Sequence, residues 1–145
     1  MVASAYVLRS LAGVSAASLL VASLTSCSRP VAVQAPTLGP GCESIMAAAP
    51  IRLLGELQRE TSPRNAAAIA WGDPPIVLVC GVARSTLPDA QVIAVDGVEW
   101  IAESTDAGTV FTTLVGDPVL QVRVPVDYRP EIDALAEITS VLPVS

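Results

Sequence analysis

Hydrophobic and polar positions change their rhythm several times along this chain, and each change predicts a different element. Residues 11–24, LAGVSAASLLVASL, form an unbroken apolar run without charge. Residues 28–39 are broken by Pro30 and Pro36 and carry no periodic apolar face, the signature of extended backbone. In residues 41–60 the spacing of Ile45, Leu53, Leu54 and Leu57 follows a helical repeat, interrupted at Pro50, so a helix or two short ones bent there is expected.

From residue 66 the rhythm becomes that of strands. Residues 66–71 and 76–80 are short apolar runs on either side of Gly72-Asp73-Pro74-Pro75, a stiff corner whose prolines cannot donate to a ladder. Asp96-Gly97, between β-forming runs, calls for a two-residue hairpin with Val95 opposite Val98 and Ile93 opposite Trp100. Residues 109–115 and 118–126 read as a further pair around Gly116-Asp117. In the second of these, Leu120, Val122 and Val124 alternate with Gln121 and Arg123. Pro130 opens a last helix, with Glu131 and Asp133 at its positive end and Ile132, Leu135, Ala136 and Leu142 as its apolar stripe. The expected fold class is α+β: a mainly antiparallel sheet of five or six strands, with an N-terminal and a C-terminal helix packed on one face.

The first rhythm carries a destination. Arg9 precedes the apolar run, which has signal-peptide length and leads into Leu24-Thr25-Ser26-Cys27. Small residues before a cysteine fit lipoprotein processing, in which the thiol accepts a diacylglyceryl group and the cysteine becomes the mature N-terminus. Two or more acyl chains, typically palmitate, hold a protein on a bilayer where one would not. The expected organisation is a signal peptide at 1–26, lipidated Cys27 with a proline/alanine tether through residue 40, and one domain at 41–145. Fully extended, residues 28–39 would reach about 35–40 Å at roughly 3.1 Å per residue. The expected location is the extracytoplasmic face of the plasma membrane, reached through the lipid. Cys42 and Cys80 are then either a disulfide in an oxidising compartment or two buried thiols acting as small hydrophobes.

Charge and composition narrow the function. All eight basic residues are arginine, against fourteen acids, and seven arginines and all fourteen acids follow Cys27. A net acidic chain without clustered cations does not suit a phosphate backbone, so nucleic acid is not an expected partner. Aromatics at 3% provide few stacking platforms for sugars or single-stranded bases. The absence of histidine and lysine closes the Ser-His-Asp, Cys-His and Ser-Lys routes to a nucleophile, as well as imidazole zinc sites and Schiff bases. No metal or cofactor is expected, and no catalytic residue is assigned. A carboxylate-dependent hydrolase would have to draw two acids from Asp73, Asp89, Asp96, Glu99, Glu103 and Asp106.

The stretch AWGDPPIVLVCGV, residues 70–82, has two readings. In one, Trp71 is a core plug, Gly72 to Pro75 a rigid turn and Cys80 half of a disulfide. In the other, Trp71 and Asp73 form an exposed rim that grips a partner protein or a cell-wall ligand. WGDPPIVLVCGV, followed by VDGVEW, FTTLVGDP and VRVPVDYRP, resembles the actinobacterial secreted and lipid-anchored proteins grouped as domain of unknown function 3515. The likeness runs from about Cys42 to the last helix. It departs at Val79 and at Gly116-Asp117, near which family members often carry an arginine. The resemblance implies an envelope location and no reaction. The expected function is therefore a non-catalytic interaction module, with a small-ligand or lipid carrier as the alternative and a carboxylate hydrolase behind it.

Overall fold

The computed structural model describes residues 28–86 and 90–143. Ten strands are present: β1 Val31–Ala32, β2 Arg52–Leu53, β3 Glu56–Arg59, β4 Thr61–Ser62, β5 Ala68–Trp71, β6 Ile76–Cys80, β7 Gln91–Val95, β8 Val98–Thr105, β9 Gly108–Thr113 and β10 Leu120–Pro125. Among the described residues two α-helices accompany them, α1 Glu43–Ala48 and α2 Ile132–Val141, with a short 3-10 helix at Val126–Tyr128. Eight strands make one sheet in the order β2-β3-β5-β6-β10-β9-β8-β7, antiparallel throughout, and β1 pairs with β4 in parallel as a small second sheet.

The expected hairpins form, the Asp96-Gly97 one in its expected register. Asp96 and Gly97 both take positive φ, 46° and 81°, and Val95 pairs with Val98 and Ile93 with Trp100. β9 and β10 pair around the Gly116-Asp117 connection, and along β10 the alternation buries Leu120, Val122 and Val124. The sheet has more strands than expected because the segment after Pro50 is not helical. Pro50 holds Ala49 in extended backbone (ψ 139°), so α1 is only six residues long. Residues 52–59 then fold as the β2–β3 hairpin, turning through Leu54 and Gly55 at φ 49° and 84°. The N-terminal helix expected over 41–60 is thus a correction.

One face of the sheet carries the main core, in which Trp71, Ile76, Leu78, Trp100, Phe111 and Val122 pack under α2. The helix touches both β2 and β7, the two edges of the sheet, so the eight twisted strands curl round it. Its buried stripe is Ala134, Leu135, Ile138 and Thr139, with Leu142 just beyond; Ile132, expected in the stripe, is exposed and Ala136 is half-buried. No helix among the described residues is long and apolar enough to cross a membrane.

The opposite face carries a smaller cluster, Ala66, Ala68, Ala70, Val77 and Val79, and the segment before α1 lies across it. Val31, Val33 and Ala35 pack on those small side chains. The Val31 and Val33 amides donate to the carbonyls of Glu60 and Ser62 at 2.8 and 3.0 Å, and the Leu38 amide to that of Asn65 at 2.7 Å. Residues 28–39 are extended, as the prolines require, but from Val31 to Leu38 they are a strap docked on the sheet and not a free tether.

Candidate functional site

The corner at residues 71–75 is a structural joint. Trp71 is wholly buried, and its Nε1–H donates to the Pro50 carbonyl at 2.8 Å, so it does not belong to an exposed rim. Asp73 projects into solvent with its side chain 87% exposed, 3.4 Å from Arg59 Nη1. Arg59 ties the corner together: Nη1 donates to the Gly72 carbonyl and Nη2 to that of Arg29 in the strap, both at 2.9 Å. From the other side the Tyr128 hydroxyl donates to the Pro74 carbonyl at 2.9 Å. Burial pushes the Tyr128 phenol above its ordinary value of 10.0, and the nearby Glu56 carboxylate adds to the rise. Cys42 and Cys80 are joined by a disulfide with Cα atoms 5.8 Å apart, fastening the end of the strap to β6. Cys27, the proposed lipidation site, and Asp89 lie outside the described residues.

A wider concavity lies at the other end of the sheet. A cleft of about 560 Å³ opens between the start of α1, the β7–β8 turn, the β9–β10 connection and Pro143 after α2. Its apolar lining comes from Ile45, Val98, Val115, Pro118 and Leu120, and its charged lining from Asp96, Glu99 and Asp117, with no arginine among the lining residues. Hairpin geometry explains the meeting. Successive antiparallel turns alternate between the two ends of a sheet, so the turns at Asp96-Gly97 and Gly116-Asp117 share one end, while Asp106, in the turn between β8 and β9, lies at the other. Arg84 braces the cleft wall from behind, donating to the Leu114 and Gly116 carbonyls at 2.8 and 2.9 Å. Of the carboxylates considered from sequence, Asp96 and Glu99 reach the cleft; Asp73, Glu103 and Asp106 do not line it. Asp117 was legible only as a turn residue, and the signal that could have grouped it with Asp96 was the parity of the hairpins. Among the described residues no group of three or more metal-ligating side chains converges.

Chemically, the cleft offers an apolar floor with carboxylate oxygens at its rim, which suits a ligand carrying both an apolar group and a positive charge. Among known proteins, no curated protein and no solved structure matches the chain. A family model described as Protein of unknown function (DUF3515) matches residues 5–143, nearly the whole chain. The domain built on the β5–β6 corner, the curled eight-stranded sheet and the cleft at its far end therefore belongs to the DUF3515 family.

Proposed function

We propose that this chain is a lipid-anchored, non-catalytic interaction module on the extracytoplasmic face of the plasma membrane, and that its partner docks in the acidic cleft and not on the Trp71–Asp73 corner. The observation that carries the reading is the cleft itself: a concavity with an apolar floor, three carboxylates on its lining and no arginine among them. Walls set by the tight Asp96-Gly97 turn and by the β9–β10 connection that Arg84 braces, next to the Cys42–Cys80 disulfide, need little ordering on binding, which favours recognition of a complementary partner segment. The signal-like start and the Leu24-to-Cys27 motif support the location.

The test is a photo-activated cross-linker placed at Val115, 61% exposed on the cleft, in intact cells. The expected result is one reproducible envelope protein, lost when Asp96, Glu99 and Asp117 are replaced by their amides. Absence of any protein adduct refutes the reading. Capture of a small molecule alone moves the site to the carrier reading, which the cleft also supports by volume, since small-ligand sites span roughly 300–1,000 Å³.

A further inference from the structure

The start of the strap and the cleft lie at opposite ends of the sheet, and this has a geometric consequence for an anchored protein. Arg59 holds the Arg29 carbonyl beside Gly72 and Asp73, which places the beginning of the strap at the corner end. From there β1 runs parallel to β4, and the strap bonds in turn to Glu60, Ser62 and Asn65 before the disulfide at Cys42. Cys80, its partner, pairs with Leu120, and Leu120 lines the cleft. The strap therefore travels from the corner end to the cleft end, and only Ser28 separates Cys27 from the clamped Arg29. Two residue steps span at most about 7 Å.

We propose that the docked strap orients the domain on the bilayer, with the Gly72–Pro75 corner end against the lipid headgroups and the acidic cleft facing away. The inference rests on the lipid-anchor reading above. It replaces a freely swivelling domain on a 35–40 Å tether with one standing directly on the membrane. The cleft then meets soluble, wall-associated or projecting partners, while lipid headgroups and the membrane-embedded parts of neighbouring proteins are out of its reach.

Energy transfer to labelled lipid tests this on the full acylated chain, reconstituted in phosphatidylglycerol/phosphatidylethanolamine vesicles with an acceptor dye on the headgroups. A donor is attached through Asp106→Cys or Val115→Cys, exposed positions beyond opposite ends of β9, with the Cys42–Cys80 bond closed. The expected result is a transfer rate at least about twofold higher from position 106, since the strand rises about 3.3 Å per residue. Equal rates, or a higher rate from position 115, overturn the orientation. Val31→Asp with Val33→Asp, which sends carboxylates into the strap's apolar seat, should narrow the difference; an undiminished difference also overturns the proposal. Flotation of the unlabelled chain and of Cys27→Ala reads the anchor separately: if the cysteine variant still floats with the vesicles, the anchoring reading fails whatever the transfer rates.

Discussion

Gly72 stands at φ 71°, and a Cβ added there would run into the Tyr128 hydroxyl and lie 2.9 Å from Glu56 Cγ, so any side chain at this position is both strained and crowded. Gly72→Ala is expected to cost about 2–4 kcal/mol, from the left-handed backbone and the overpacking combined, read as a lowered thermal midpoint. Tyr128 above it gives a pH signature. Because its folded-state pKa is raised, folding favours the neutral phenol; that stabilisation is present below pH 10.0 and fades as pH climbs through the raised value. Tyr128→Phe should flatten the stability profile as pH climbs past 10.0, and an equally steep profile in the variant refutes the assignment. The burial of Trp71 was one of two readings open in the sequence, because a tryptophan beside a Pro-Pro turn suits a plug and an interface equally. Its hydrogen bond to Pro50, twenty-one residues earlier, is a tertiary contact that no local pattern announces.

Elements whose shape is decided by adjacent residues were the legible ones. Asp96-Gly97 carries its turn type in its own chemistry, and the alternation of β10 carries its own facing. The β2–β3 hairpin was hidden because its turn uses Leu54 in a left-handed conformation, which local propensity disfavours. Glu137 of α2 accepts the Leu54 amide at 2.9 Å, so a contact from eighty-three residues away helps hold a turn that reads as helix. Glu137→Ala should therefore raise hydrogen exchange at residues 52–57 more than at β8–β9, with a stability loss of about 1–2 kcal/mol. The strap was legible as extended backbone from its prolines, but its seat was not: the Ala66, Ala68 and Ala70 row that receives Val31, Val33 and Ala35 lies more than thirty residues downstream. The Cys42–Cys80 bond fastens that strap across a separation of 38 residues. Replacing both cysteines with alanine should lower stability by about 3–4 kcal/mol on chain-entropy grounds, and an unchanged melting point would falsify a stabilising bond.

At the scale of the whole molecule, the proposed anchor and the proposed docking site are joined through one sheet, with the strap's start at one end and the cleft at the other. Cys27→Ala is expected to move the protein from the membrane to the soluble fraction, checked by fractionation of cells, while leaving the fold of the released domain intact. By itself the sequence determined the α+β class, the central hairpins with the register of the Asp96-Gly97 one, the pairing candidates Cys42 and Cys80, and the lack of histidine and lysine side chains. These follow from composition and from interactions between neighbours, where periodicity, turn residues and the absence of a residue type suffice. Only the tertiary structure decided that Trp71 is buried, that residues 52–59 are strands, that the supposed tether is a strap, and that Asp96, Glu99 and Asp117 line one cleft. Each depends on long-range packing: free energies of only a few kcal/mol, supplied by residues far away in the chain, outweigh local preference or bring separate turns to the same end of the sheet.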